Sequence, residues 1–85
     1  MNIELRFFAD LRVALNVSTE SVHLPDNVKT IADVRAFLVA RGGVWAETLG
    51  EDKMLRTAYN HLVTGPETLI SEGCEVAFFP PVSGG

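Results

Sequence analysis

The residues with the most chemical potential stand at the end of the chain. The last eight, Phe78-Phe79-Pro80-Pro81-Val82-Ser83-Gly84-Gly85, finish on two glycines. What such a run offers is the α-carboxylate of Gly85 and no side chain. Gly84 and Gly85 carry no Cβ, so they fit a channel too narrow for other residues and adopt torsions that others avoid. Pro80 and Pro81 hold an extended backbone and offer no ladder donor, so they end a strand and send the residues after them outward. A diglycine by itself is also what an ordinary chain end looks like, so its weight depends on what precedes it.

Other residues with chemical capacity are poorly placed. The single cysteine, Cys74, has no partner for an internal disulfide, and it is flanked by Glu72 and Glu75 where a nucleophilic thiol needs cations. It reads as a small apolar filler. His23 and His61 are far apart and belong to no Cys or carboxylate motif of metal-ligand spacing, so they read as surface residues. Trp45 reads as core. There is no glycine-rich phosphate loop and no Ser, His and Asp triad. Intrinsic catalysis by the isolated chain, a bound cofactor and a bound metal are therefore not expected.

Composition narrows the class. With 85 residues, 47% of them hydrophobic and 21% charged, the chain has room for one small core and is too apolar for disorder along its length. The net charge of −4, with no basic run, disfavours nucleic acid as a partner. No segment reads as a signal or membrane span, and one unpaired cysteine fits a reducing compartment. The expectation is a cytoplasmic protein.

Something must hold the tail. Ile3, Leu5 and Phe7 alternate with Glu4, Arg6 and Phe8, the period-two pattern of a strand with its odd residues buried. Leu11, Ala14 and Leu15 then recur at helical spacing after Asp10, a candidate cap, and Asn16 supplies a left-handed stop. Residues 18–24 read as a second strand closed by Pro25. Thr30 and Asp33 form a capping box for the main helix, which carries Ile31, Val34, Phe37 and Leu38 and runs to Arg41 before Gly42-Gly43. Residues 44–49 fit a short helical turn. Residues 55–63 read as a strand or strand pair turning near Asn60 and His61, and residues 75–79 as the final strand after Gly73.

This order predicts an α+β fold, a mixed sheet with one main helix packed on one face and the other face open. The division expected is a folded domain over residues 1–79 and a flexible tail over 80–85. On the first strand Phe8 falls outside the buried set, and on the last strand Phe79 falls on the side away from Val76 and Phe78. Burial of a phenylalanine is worth about 1.5–3 kcal/mol, so two rings left in water mark a docking surface, unless a local twist covers them.

The string Glu75-Val-Ala-Phe-Phe-Pro-Pro-Val-Ser-Gly-Gly85, with Gly73 before it, resembles the C-terminus of the small-subunit family of molybdopterin synthase, sulfur carriers with a ubiquitin-like β-grasp fold. Phe7-Phe8-Ala9-Asp10-Leu11-Arg12 resembles that family's first strand and turn, and Asp52-Lys53-Met54-Leu55 with Asn60 its middle. Asn16 departs from a common glycine, Cys74 from a usual acidic residue, and the Gly65-Pro66 loop is irregular. None of these touches the tail.

The resemblance implies chemistry at Gly85. An ATP-dependent activating enzyme would adenylate its carboxylate, and a sulfur donor protein would replace AMP to leave a thiocarboxylate. The tail, with Gly84 as its narrow neck, would then enter a large catalytic subunit and give sulfur to a cyclic pyranopterin monophosphate. A heterotetramer of two small and two large subunits is implied as well. Phe8 and Phe79, with Pro80, Pro81, Val82 and more weakly Leu62, would form the partner-binding patch, and Arg6 and Arg12 its rim. Two related outcomes use the same fold and diglycine: a sulfur carrier for thiazole synthesis, against which the double proline and double phenylalanine argue, and a ubiquitin-like modifier that joins Gly85 to a lysine. A plain binding module with an inert tail is the third.

Overall fold

Alternation in the first segment becomes β1 (Asn2–Phe7), in which Ile3, Leu5 and Phe7 are buried. The computed structural model describes residues 1–81, and within them β1 is followed by α1 (Ala9–Leu15), β2 (Thr19–His23), α2 (Ile31–Val39), α3 (Gly43–Leu49), β3 (Arg56–Tyr59), β4 (Leu62–Thr64) and β5 (Glu75–Phe79). The five strands form one sheet in the order β2-β1-β5-β3-β4. The two central strands, β1 and β5, are parallel, with Leu5 opposite Val76 and Phe7 opposite Phe78. The other pairs are antiparallel. A mixed sheet with helices on one face is the ubiquitin-like β-grasp arrangement that the sequence led us to expect.

Local chemistry explains the helix ends. The capping box is present: the Thr30 hydroxyl accepts from the Asp33 backbone N–H at 3.1 Å, and the Asp33 carboxylate accepts from the Thr30 N–H at 3.1 Å. Helix α2 stops at Val39, two residues short of the expected Arg41, because the chain turns into Gly42 with a positive φ of 76°. Asn16 does take the left-handed geometry, with φ 57°. Asp10 is not the cap of α1. Phe8 occupies that position without a side-chain bond, and Asp10 lies in the first turn. The two short turns expected beside the main helix are helices of seven residues each.

The core lies between the sheet and these helices. Ile3, Leu5, Phe7, Val76 and Phe78 meet Leu11, Leu15, Ile31, Val34, Leu38 and Leu49 in one cluster, and Cys74 is buried within it. The Phe7 and Phe78 rings stack with centroids 6.0 Å apart. Trp45 stands edge-on to Phe7 at 5.7 Å, and the Arg41 guanidinium, paired with Glu20, covers its other side at 4.5 Å. At the far edge the hairpin of β3 and β4 turns through Asn60 and His61, both with positive φ, as a two-residue hairpin loop requires.

Candidate functional site

The end of β5 is where the body gives way to the tail, and register determines what surrounds it. Side chains that sit opposite one another across a ladder share a face. On the face away from the helices this brings together Arg6 of β1, Ala77 of β5, Ala58 of β3 and Val63 of β4, because Arg6 pairs with Ala77, Ala77 with Ala58, and Ala58 with Val63. One step toward the tail, Phe79 is opposite Arg56.

Phe8 completes this end. Its backbone N–H donates to Phe78 O at 3.2 Å, and its carbonyl accepts from the Leu11 N–H at 3.1 Å as α1 begins. The backbone is thus tied to both β5 and α1 while the residue remains 41% exposed. The Arg6 guanidinium lies over that ring, 5.3 Å from its centroid. The next residue, Ala9, is held at φ 53°, a left-handed geometry that an L side chain resists.

The face is divided by chemistry. Toward β2 it is polar: His23 Nδ1 is 2.8 Å from Asn2 Oδ1, and the Ser21 hydroxyl donates to the Glu4 carboxylate. Toward β3 and β4 it is apolar and hollow. A concavity of about 240 Å³ is lined by Phe8, Ala58, His61, Val63, Glu75, Ala77 and Phe79. The Glu75 carboxylate at its edge lies 3.8 Å from Arg6 Nη1 and 3.4 Å from His61 Nδ1. A second, larger groove of about 450 Å³ runs beside the tail root, with Pro81 next to Met54, Arg56 and Thr57 in its wall.

Of the residues singled out from sequence, Phe8 and Phe79 meet at this concavity, and Phe79 is half-buried where full exposure was expected. Pro80 and Pro81 follow directly and are half-buried too. Leu62 is 69% exposed but is not in the concavity: it sits opposite Tyr59, whereas its neighbour Val63 is opposite Ala58. Arg6 borders the concavity, and Arg12 is exposed on α1. Val82, Gly84 and Gly85 lie outside the described residues. Ala58, Val63, Ala77 and Glu75 were missed. The Asn60-His61 turn fixes the hairpin register and so puts Ala58 opposite Val63, and alternation along β5 puts Glu75 and Ala77 on the side of Phe79, but neither pattern shows that the two sets meet.

Among the described residues no group of three His, Cys, Asp or Glu is placed to hold a metal ion. No helix there is long and apolar enough to cross a membrane. What this face offers chemically is a preformed apolar grip beside the point where the tail departs.

Comparison with known proteins agrees over the whole chain. The model of the ThiS family matches residues 5–85. A molybdopterin synthase sulfur carrier subunit from Haemophilus influenzae is 36% identical, covering 98% of this chain and 99% of the relative. Its Escherichia coli K12 counterpart is 34% identical with the same coverage. Small archaeal modifier protein 3 of Haloferax volcanii is 33% identical, with both chains covered in full. Among solved structures, SAMP1 of Haloferax volcanii superposes with a TM-score of 0.77 at 28% identity, again over all of both chains.

Proposed function

This chain belongs to the ThiS family, and on that premise we propose that it is the sulfur-carrier subunit of a molybdopterin synthase, working through the carboxyl group of Gly85. One observation carries the reading. The central strand β5 runs into Pro80 and Pro81 next to an exposed aromatic face, so docking surface and tail root are one continuous feature. The curated sulfur carrier subunits, 34–36% identical over nearly the full chain, support the same role.

A carboxylate resists nucleophiles because its charge is delocalised and repels them. In the proposed cycle an activating enzyme joins the Gly85 carboxylate to the α-phosphate of ATP, with pyrophosphate leaving. A hydrosulfide equivalent from a donor protein then attacks the acyl carbon and AMP departs, which leaves a thiocarboxylate. Docked on the large subunit, that sulfur attacks the cyclic pyranopterin monophosphate, and water then attacks the Gly85 acyl carbon, so that the C–S bond breaks, the sulfur stays on the pterin and the Gly85 carboxylate is restored. Since a dithiolene holds two sulfur atoms, two carriers are consumed for each product. Acid and base groups for these steps come from the partners. This chain contributes position: Phe8 and Phe79 hold the partner, and Pro80 and Pro81 end the β5 ladder ahead of the reactive terminus.

The test is the mass of the chain after incubation with an activating enzyme, ATP and a sulfur donor. Exchange of one oxygen for sulfur adds roughly 16 Da. Deletion of Gly85 leaves the fold and docking intact and abolishes sulfur transfer under this reading; transfer that survives the deletion overturns it. The archaeal modifier relative favours a second reading, in which Gly85 forms an isopeptide with a lysine. Isopeptide remnants of this chain on other proteins, with no sulfur-bearing chain, would select that reading.

A further inference from the structure

The 450 Å³ groove at the end of β3 and β4 has Pro81 in its wall, and four residues of chain follow Pro81: Val82, Ser83, Gly84 and Gly85. Two polar groups of the lining lack partners among the described residues. Arg56 is exposed, is the one charged side chain in the lining, and takes part in none of the ion pairs there. The Thr64 Oγ1 atom is buried without a hydrogen-bond partner, an arrangement that costs free energy until a polar group meets it. We propose that this groove is the resting berth of the chain's own tail, with Val82 against Met54 and Val63, a polar group of the tail on Thr64 Oγ1, and the Gly85 carboxylate on the Arg56 guanidinium. The reactive end is thereby held back until a partner releases it. The berth rests on the sulfur-carrier reading for its purpose, since a reactive Gly85 is what needs holding back, and on the groove alone for its geometry.

Reach and charge select this occupant. Arg56 lies opposite Phe79 in the ladder, so its backbone is about 5 Å from that of Phe79, and Pro81 is two residues farther on. The four remaining residues span at most about 14 Å, which is enough to turn back to the guanidinium, and two glycines adopt the positive φ that a tight reversal uses. The lining holds no acid to repel a carboxylate; the Glu67 carboxylate, which packs on Gly65, is outside it. A free anion would have to bear the full entropy of association, whereas a tether this short presents its own end at an effective concentration on the order of millimolar. The hold is weak by construction. An exposed ion pair shifts an equilibrium only about 1.5- to 5-fold, so a partner that binds the tail opens the berth easily.

The experiment begins with the isolated full chain, labelled with ¹³C and ¹⁵N. Wild type should show contacts from the Val82 methyls to Met54 or Val63 and an order parameter above about 0.6 at Gly84. Arg56→Gln removes the charge and Thr64→Val removes the hydroxyl at constant shape; amide spectra check that both fold. Each should weaken the contacts and lower the Gly84 order parameter. With an activating enzyme and ATP at subsaturating carrier, both should release pyrophosphate about 1.5- to 5-fold faster than wild type. A wild-type tail without these contacts, contacts that survive both substitutions, or unchanged rates in variants that have lost the contacts overturn the berth. Contacts that form only between differently labelled chains assign the groove to a second copy and overturn it as well. Tail contacts in a wild-type chain that no activating enzyme adenylates leave the berth in place and overturn the carrier reading instead.

Discussion

Arg35 makes the most concentrated set of tertiary hydrogen bonds described in this protein, and its replacement by methionine tests how the segment before β3 is held. Its guanidinium projects from α2 and donates to three backbone carbonyls: Leu49 O at 2.6 Å, Gly50 O at 2.5 Å and Lys53 O at 2.7 Å. It thereby closes the end of α3 and pins the turn that leads to Arg56, which faces Phe79. Gly50 itself permits the tight turn out of α3, since a Cβ there would stand 2.7 Å from Ala46 O and 2.8 Å from Asp52 Oδ1. Burial pushes the guanidinium below its ordinary value, against the nearby charges of Glu51 and Asp52, yet an arginine stays protonated at any accessible pH. A hydrogen bond from a charged donor contributes about 1.5–3 kcal/mol. Lys53 is exposed and its carbonyl can be rehydrated, whereas Leu49 and Gly50 are buried. Counting chiefly the latter two, Arg35→Met costs about 3–6 kcal/mol, or at least about 12 °C in Tm for a domain of this size. Urea unfolding measures the loss, and amide exchange at Gly50 through Lys53 should accelerate beyond the global change. Arg35→Lys keeps the charge but not the planar fork, and should recover less than half. A loss under about 0.5 kcal/mol, or full recovery with lysine, would refute the reasoning.

Three further predictions concern the helix starts. The Asp33 carboxylate is held below its ordinary value of 3.8, first by the Lys29 and then by the Thr30 backbone N–H. A depressed folded value gives stability that is present above the unfolded value and lost as pH falls through the folded one. The stability gap between wild type and Asp33→Asn, clear near neutral pH, should therefore close as the pH falls below 3.8 and through the lowered folded value, and Thr30→Ala should cost about 1 kcal/mol at neutral pH. A gap independent of pH would remove Asp33 from the acid response. Ala9 is held at φ 53°, where an L residue is disfavoured by about 1–2 kcal/mol. Ala9→Gly should raise stability by about 0.5–1 kcal/mol after its larger entropy loss, and an unchanged or lower Tm counts against strain at that position.

Much of the architecture was legible because its causes are local. Alternation of Ile3, Leu5 and Phe7 declares a strand and its buried face, and it cannot be shifted by one residue without exposing all three. Thr30 with Asp33, Asn16, Gly42 and the Asn60-His61 turn mark element ends through short-range backbone chemistry, and the Pro80-Pro81 stop before a diglycine needs no tertiary contact to be recognised. The site was legible only where it extends such patterns: Phe8 and Phe79 stand out as large rings on the wrong side of two strands.

What remained hidden depends on segments distant in sequence. That β1 and β5 are adjacent and parallel, with β3 on the far side of β5, decides that Ala58 lies against Ala77 and that Phe8 and Phe79 border the same hollow. Turn and alternation give each alanine a face, but that the two faces meet is decided only by the ladder that places larger side chains around them. The same register separates Leu62 from Val63, and the crossing of α2 over the end of α3 turns Arg35, an ordinary helix-surface cation by its spacing, into a clamp on three carbonyls. Short-range torsional and periodic preferences thus determine the elements and the tail, while the long-range ladder alone determines which faces meet. Pairing energies accrue between residues that the chain itself keeps far apart.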